Sequence, residues 1–154
     1  ASERGAPLIL MHMLGNPRTM QNSPRYVDVV REVSEFLDER AQAAVKMGVW
    51  ANRILVDPGI GFGKTTDHNL LLLRGLKALA ARGRPVVIGT SRKSFLGSLT
   101  ARNDPADRIF GTAASVAWAV TNGAAVVRVH DVGPMRDVVA VARAIADADF
   151  RPSE

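Results

Sequence analysis

Residues 57–66 read Asp57-Pro58-Gly59-Ile60-Gly61-Phe62-Gly63-Lys64-Thr65-Thr66. An apolar run at 54–56 leads into this segment and a leucine-rich segment at 70–79 follows it, so the sequence predicts a strand, a loop and a helix. Glycine tolerates positive φ and lets backbone N–H groups line one side of a loop, which favours a binding concavity. An aspartate where a buried strand opens to solvent can accept paired hydrogen bonds from a ligand. The simpler alternative is that the segment is only a turn.

The composition of the chain indicates one globular α/β domain. Of its 154 residues, 47% are hydrophobic and only 5% are aromatic, a mixture that suits helices packed on buried parallel strands. No apolar run of about 18 residues predicts a membrane span, and we expect no signal peptide. The absence of cysteine excludes disulfides and favours a cytoplasmic location. The net charge of +5 comes without a basic block that would predict nucleic-acid binding.

Four apolar segments alternate with helical patterns along the chain. Strands are predicted at 8–13, 53–57, 85–89 and 124–130, helices at about 24–48, 67–82, 105–122 and after 134, and a frayed tail at 150–154. Repeated βα units form parallel sheets, either doubly wound or as part of a (β/α)₈ barrel. A barrel needs roughly 200–250 residues. This chain would therefore supply four of the eight units and leave two sheet edges open.

Three helix starts are predicted from capping residues. Ser23-Pro24 and Asp104-Pro105 each combine a good N-cap with proline at the first helical position. Ser91 is expected to cap a short helix, which would place Lys93 near unpaired backbone N–H groups and concentrate positive potential there. A solvated basic turn is the alternative for this last segment.

The predicted strand ends carry the polar and flexible residues of the chain, and ligands of parallel α/β proteins bind at such ends. These residues are Met11-His12-Met13, Asp57, Gly89 with 91–94, and Arg128 with His130. Because side chains alternate along a strand, Arg128 and His130 are expected on one face, where they would suit an anion. The alternative is that Arg128 pairs with Asp131 and that His130 is a core histidine.

A phosphate-binding P-loop is a rival interpretation of the glycine segment, because Gly63-Lys64-Thr65 matches the end of that motif. The motif needs glycine at position 58, where this chain has Pro58. Asp57 would also repel phosphates. Both residues argue against a nucleotide-hydrolysing site.

Five blocks of the sequence resemble the dihydropteroate synthase family of the folate pathway. The blocks are Met11-His12-Met13 with 15–17 and 19–21, Asp57 to Lys64, Ser91-Arg92-Lys93-Ser94 with Gly97, Arg108 with Gly111, and 128–132. They follow the order of the family's C-terminal half, from its fifth strand, and cover essentially the whole chain. The resemblance therefore implies that 1–154 is the C-terminal half of a single pterin-binding (β/α)₈ barrel domain, contributing strands 5–8.

Enzymes of this family join p-aminobenzoate to 6-hydroxymethyl-7,8-dihydropterin pyrophosphate, which gives 7,8-dihydropteroate and pyrophosphate. The resemblance implies that Asp57 binds the amino-pyrimidine edge of the pterin and that Lys93 reaches its carbonyl region. Met11 would line the ring pocket, and Gly89 would also belong to the substrate-binding set. Phe62 and Ser94 would border the p-aminobenzoate site, where sulfonamides also bind.

The mechanism that the resemblance implies is dissociative, with pyrophosphate leaving before the amine attacks the methylene cation. Arg128 would stack on the pterin and, with His130, hold the pyrophosphate. Lys93, Arg128 and His130 are thus the expected catalytic residues, and they would act by stabilising developing charge.

The family's first four strands have no counterpart in this sequence. They carry a magnesium-coordinating asparagine and two mobile loops, so the resemblance implies that the cofactor Mg²⁺ is bound outside this segment and that the segment supplies no metal ligand. We therefore expect the segment alone to be inactive. Small-molecule substrates and a homodimer are expected, without nucleic-acid or membrane partners. The alternatives are a non-catalytic pterin-binding or dimerising fragment and a related pterin-binding methyltransferase, although block 91–94 favours the synthase.

Overall fold

The computed structural model describes residues 2–149, so the predicted frayed tail at 150–154 lies outside the described residues. Strands and helices alternate as four βα units. The strands are β1 (Leu8–Met11), β2 (Ile54–Asp57), β3 (Val86–Ile88) and β4 (Ala124–Val127). The helices are α1 (Val29–Lys46), α2 (Thr66–Arg74), α3 (Leu76–Ala80), α4 (Ser94–Thr100), α5 (Ile109–Thr121) and α6 (Val132–Ala146), with short 3₁₀ turns at Ala51–Arg53 and Pro105–Arg108.

The four strands form one parallel sheet in the order β1-β2-β3-β4. The β1–β2 register pairs Leu8 with Ile54 and Met11 with Asp57, so the ends of these strands lie side by side. Each strand lies beside the next one in sequence, as in a (β/α)₈ barrel, whereas a doubly wound sheet reverses direction at a switch point. The topology therefore favours an arc of a barrel over the doubly wound alternative.

The main core lies between helices and the two central strands. Val33 and Leu37 of α1 and Leu76 of α3 are buried in one cluster with Val86 and Ile88 of β3. Near-continuous apolar runs predicted such central strands, because strands covered on both faces need no polar alternation. Within residues 2–149, no helix is both long and apolar enough to span a membrane.

The two outer strands expose apolar side chains. Ile9 and Met11 of β1 are 57% and 37% exposed, and Val126 of β4 is 41% exposed. Among the described residues, β1 pairs only with β2 and β4 pairs only with β3. The sheet thus has the two open edges that a four-unit portion of a barrel is expected to have.

The predicted start of the first long helix at Ser23 is wrong. The helix begins at Val29, and Asp28 caps it by accepting a hydrogen bond from the Arg31 N–H at 3.0 Å. The Glu32 carboxylate accepts from the N–H groups of residues 27 and 28, both at 2.8 Å. This reciprocal pair of caps satisfies several N-terminal N–H groups at once, whereas Ser23 has Tyr26, not a glutamate or glutamine, three residues later. Ser23 instead adopts a positive φ of 56°.

The predicted single helix at 67–82 consists of two helices, α2 and α3. Gly75 separates them and packs closely against α1, since a Cβ atom there would lie 2.9 Å from Cγ1 of Val30. The leucine periodicity continues across the break, which explains why the sequence pattern predicts one element.

Candidate functional site

Asp57 is the carboxylate at the mouth of β2, and it is only 4% exposed. Its Oδ1 accepts a hydrogen bond from the Gly59 N–H at 2.7 Å. Its Oδ2 has no hydrogen-bond partner among residues 2–149 and can accept from a ligand. Burial raises the pKa of Asp57, while the Gly59 N–H and then the positive charge of Arg128 oppose that shift. The site thus holds a desolvated carboxylate with one oxygen open to a donor.

The glycine loop after Asp57 is held against the end of β1. Gly59 has a φ of +68°, and a Cβ atom there would lie 1.9 Å from the carbonyl oxygen of His12, so only glycine fits. Gln21 donates from Nε2 to the Gly61 carbonyl at 2.6 Å, and the Tyr26 hydroxyl donates to the carbonyl of residue 63 at 2.9 Å. These bonds connect the loop to the chain between β1 and α1.

Lys64 lies beneath the loop and is only 4% exposed. Its ammonium donates to His12 Nδ1 and to the Phe62 carbonyl, each at 3.0 Å. Burial, followed by the proximity of Lys64, lowers the pKa of His12 to about 4, so this ring is neutral near pH 7. Burial also lowers the pKa of Lys64 to about 8, against the opposing effect of Asp57. The pair fixes the loop that carries Phe62.

Lys93 and Phe62 meet above the loop. The Lys93 ammonium lies 4.0 Å from the centroid of the Phe62 ring, a cation–π distance. Its side chain also approaches Gly61, where a Cβ atom would lie 3.1 Å from Cδ of Lys93. Burial and then Arg128 lower the pKa of Lys93, whereas Asp57 raises it. Lys93 is therefore part of one charged group with Asp57 and Arg128.

Arg128 follows β4 and lies over Gly89, the residue after β3. A Cβ atom on Gly89 would lie 2.9 Å from Nη2 of Arg128, so the absence of a side chain makes room for the guanidinium. The Arg128 N–H donates to the carbonyl of Ile88 at 2.8 Å, which continues the β3–β4 pairing by one residue.

His130 does not follow the strand alternation that placed it on one face with Arg128, because β4 ends at Val127. Instead, the His130 backbone N–H donates to Ser91 Oγ at 3.1 Å, and its Nδ1 lies 2.9 Å from the same hydroxyl. Arg128 and His130 both contact the segment after β3, at Gly89 and at Ser91 respectively.

One expectation for this region and one alternative are wrong. Ser91 does not cap a helix, since α4 begins at Ser94 and its N-cap is Lys93, without a side-chain capping bond. Asp131 pairs with Arg92, not with Arg128, through bonds of 2.7 and 3.2 Å. Ser94 is exposed as the first residue of α4, directly after Lys93.

Comparison with known proteins matches residues 1–130 to the model of a family described as pterin binding enzyme. The chain belongs to this pterin-binding family. A dihydropteroate synthase from Synechocystis sp. is 44% identical over 145 residues, which cover 94% of this chain and 50% of that protein. The chain spans about half the length of the curated relatives it matches.

Solved structures of the pterin-binding family are similar to the whole described fold. The Yersinia pestis dihydropteroate synthase in a sulfonamide drug complex has a TM-score of 0.93 at 36% identity, covering 96% of this chain and 54% of that chain. The Xanthomonas albilineans dihydropteroate synthase in complex with 7,8-dihydropteroate has a TM-score of 0.88 at 40% identity, covering 96% and 53%. Both enzymes are (β/α)₈ barrels, so the fold of this chain is four βα units of such a barrel.

Sequence reasoning missed two parts of this site. The sequence assigns Lys64 no role beyond its places in the P-loop match and in the block from Asp57 to Lys64, although its glycine and apolar neighbours are a local signal of burial. The sequence predicts only a capping role for Ser91, and nothing in its neighbourhood signals a contact with His130. Arg108, which was singled out only by resemblance, donates to the carbonyls of Arg92, Arg102 and Asn103 and so anchors the segment after β3.

The described residues of this pterin-binding chain do not fit a magnesium site. Between residues 2 and 149 there is no group of three or more histidine, aspartate or glutamate side chains that could hold a metal ion. The charged groups nearest Asp57 are the cations Arg128, Lys93 and Lys64, which would repel one.

Proposed function

We propose that this chain contributes the C-terminal half of a dihydropteroate synthase, which condenses 6-hydroxymethyl-7,8-dihydropterin pyrophosphate with p-aminobenzoate. The observation that carries the proposal is the arrangement at the strand ends. Asp57 offers one carboxylate oxygen, and Lys93 and Arg128 lie near enough to oppose its burial electrostatically. A ligand whose ring donates N–H groups suits the Asp57 carboxylate, and its anionic arm suits the cations Lys93 and Arg128.

In this proposal Asp57 accepts hydrogen bonds from the amino-pyrimidine edge of the pterin, and Lys93 donates to the ring's carbonyl. Met11 lies beside Asp57 in the β1–β2 register and contacts the ring. Gly89 leaves the space in which Arg128 lies, and Arg128 stacks on the pterin and holds the first phosphate.

The bond that breaks joins the pterin methylene carbon to the pyrophosphate oxygen, and the electron pair leaves with pyrophosphate. Arg128 and His130 stabilise the negative charge that develops on this leaving group, which is electrostatic catalysis. The amine of p-aminobenzoate then forms a C–N bond to the methylene cation and loses a proton to water. Phe62, held beside Lys93, and Ser94 border the arriving amine's ring.

Three broader features are also proposed. A homodimer through the outer helices agrees with exposed apolar residues on α5 and α6, such as Trp118 at 48% and Ile145 at 69%. A cytoplasmic location agrees with the cysteine-free sequence. Magnesium, if the complete enzyme uses it, would be bound by residues outside this chain.

The binding half of the proposal is tested by titrating the 154-residue chain with 6-hydroxymethylpterin and following the pterin fluorescence. Asp57→Asn should weaken binding by about 1.5–3 kcal/mol, or about 10- to 100-fold, because a charge-assisted bond is lost. Asp67→Asn is the matched control, since Asp67 is exposed in the first turn of α2. Equal affinity of the Asp57 and Asp67 variants would refute the role of Asp57.

The catalytic half is tested by adding the N-terminal half of the Synechocystis dihydropteroate synthase, a relative of which this chain covers 50%. We expect the mixture to form dihydropteroate and release pyrophosphate, while neither part does so alone. A mixture that folds and binds pterin but forms no product would favour the non-catalytic alternative. Binding of p-aminobenzoate by the mixture separates a synthase from a pterin-binding methyltransferase, which has no need of it.

A further inference from the structure

Ser91 lies three residues after the end of β3 and is only 5% exposed, and its hydroxyl hydrogen-bonds one residue only among those described. That residue is His130, which it meets twice. The His130 backbone N–H donates to Oγ at 3.1 Å, and His130 Nδ1 lies 2.9 Å from Oγ. Ser91 Oγ is therefore hydrogen-bonded to both the backbone N–H and the ring of the same histidine.

The hydroxyl hydrogen of Ser91 selects the tautomer of the ring. Oγ accepts from the His130 backbone N–H, and among the described residues Nδ1 of His130 is the one acceptor that its hydrogen reaches, so this hydrogen is paired only when the neutral ring leaves Nδ1 unprotonated. A neutral ring that accepts at Nδ1 carries its proton on Nε2. When the ring is protonated, Nδ1–H donates to the second lone pair of the hydroxyl, and Nε2 again carries a proton.

We infer that Ser91 is a positioning residue that keeps Nε2 of His130 a hydrogen-bond donor whether the ring is neutral or charged. Resting on the proposed function, this means that His130 donates to the pyrophosphate arm across a wide pH range. Without Ser91, the neutral ring can take the Nδ1–H tautomer, whose Nε2 lone pair repels a phosphate oxygen.

The surroundings hold Ser91 at the required place. Arg92 donates from its backbone N–H to Thr112 Oγ1 at 3.1 Å, and its carbonyl accepts from Arg108 at 2.9 Å. The Arg92 guanidinium pairs with Asp131 at 2.7 Å. Two consecutive residues after β3 thus bind two consecutive residues after β4, which prevents the two segments from sliding past each other.

Charged groups lie around the ring, but they do not select its tautomer. Asp131 interacts electrostatically with His130 and is paired with Arg92. Arg128 precedes the ring by two residues, and Lys93 lies near Arg128. None of these side chains hydrogen-bonds a ring nitrogen of His130 within residues 2–149, so the serine hydroxyl alone selects the tautomer.

The direct test is long-range ¹H–¹⁵N NMR of the 154-residue chain at pH 8, with ¹⁵N-labelled histidine. The chain has three histidines, so assignment by single substitutions is practical. His130 should show an unprotonated Nδ1 and a protonated Nε2. Ser91→Ala should shift the tautomer ratio about 2- to 10-fold towards Nδ1–H, the effect of losing one hydrogen bond. Ser91→Thr, which keeps the hydroxyl, should restore the original ratio.

Ser98→Ala is the matched control, because Ser98 is exposed on α4 and, within residues 2–149, its hydroxyl bonds only the carbonyl of residue 94. It should leave the His130 signals unchanged. A protonated Nδ1 in the unsubstituted chain at pH 8 would overturn the inference even if Ser91→Ala did not fold. An unchanged tautomer ratio in a folded Ser91→Ala variant would overturn it as well.

The consequence for binding is tested with inorganic pyrophosphate, comparing each variant with the unsubstituted chain at the same pH. Ser91→Ala should lower the affinity about 3- to 10-fold at pH 8, and Ser91→Thr should restore it. A purely structural role of Ser91 would lower the affinity without shifting the tautomer ratio of His130. If the tautomer changes as expected but the unsubstituted chain binds no pyrophosphate, the positioning role stands and the proposed anion site fails.

Discussion

The buried His12–Lys64 pair predicts a specific loss of stability in acid. His12 lies 3.0 Å from the Lys64 ammonium and packs edge-on against Phe36, with ring centroids 4.9 Å apart. Protonating this ring would place two positive charges together away from water. The folded protein therefore resists protonation of His12, and the unfolded chain does not.

The sign and size of the effect follow from the pKa of His12, which burial lowers from 6.5 to about 4. Between these values the unfolded chain binds more protons, so the free energy of unfolding falls as the pH falls and levels off below 4. At about 1.4 kcal/mol per pKa unit, the upper limit is about 3 kcal/mol. Solvent that still reaches the pair screens it, so we expect a loss of about 2 kcal/mol.

The assay is urea unfolding of the chain at several pH values from 7 to 4, with His12→Asn as the test variant. Asparagine places Oδ1 close to the position of Nδ1, so Lys64 keeps an acceptor while the titrating group is removed. The variant should be less stable at pH 7 because the ring is lost, but it should lose about 2 kcal/mol less than the unsubstituted chain on acidification.

The matched control is His68→Asn, which removes a half-buried histidine whose Nδ1 accepts from the Thr65 N–H at 3.2 Å. This control should keep the full acid dependence. Carboxylates contribute equally to the acid dependence of the unfolding free energy in all three proteins. The test is therefore the difference between the proteins in that acid dependence. Parallel pH dependences for the unsubstituted chain and His12→Asn would refute the assignment of a buried, neutral histidine beside Lys64.

The remaining predictions concern stability. Because the pKa of Lys64 is lowered to about 8, the unfolding free energy should rise with pH from about 8 towards 9.5, and Lys64→Met should lack this rise in urea titrations. Gly59→Ala should cost more than about 3 kcal/mol or prevent folding, because its Cβ would lie 1.9 Å from the His12 carbonyl oxygen. Gly83→Ala, at a φ of +85° with open space around it, should cost only about 1 kcal/mol, and equal losses for the two in thermal unfolding would contradict the packing argument. Ala101→Gly should stabilise the chain by about 0.5–1 kcal/mol, because Ala101 ends α4 with a φ of 54° in the left-handed region; a lower melting temperature would contradict this.

The sequence predicts the sheet well because its signals are local. Apolar runs mark the central strands, and Asp57 and Gly89 follow them directly. The repeated βα pattern predicts a parallel sheet but leaves its strand order open between a doubly wound sheet and a barrel, and the structure shows the consecutive order of a barrel. Helix starts are predicted less well, since Ser23 and Asp28 both have capping side chains, and only the Glu32 carboxylate one turn later favours Asp28.

The contacts that organise the site join residues far apart in sequence, and no local pattern indicates them. Lys64 and His12 are 52 positions apart, and Ser91 and His130 are 39 apart. Ser91 sits in a polar segment where capping, solvation and a tertiary contact all produce the same local pattern. The strand alternation that was used for His130 fails because β4 ends three residues earlier.

The open edges of β1 and β4 affect how the chain behaves at high concentration. Each edge presents unpaired backbone groups, and the exposed Ile9 and Val126 make both edges apolar. The two edges are different and face opposite ways. The β4 edge of one molecule can therefore form a parallel strand pair with the β1 edge of the next molecule. Such head-to-tail contacts close into a ring only if the rotation per molecule allows it, and otherwise they grow into a filament. Sedimentation over a dilution series should therefore precede any binding titration of this chain.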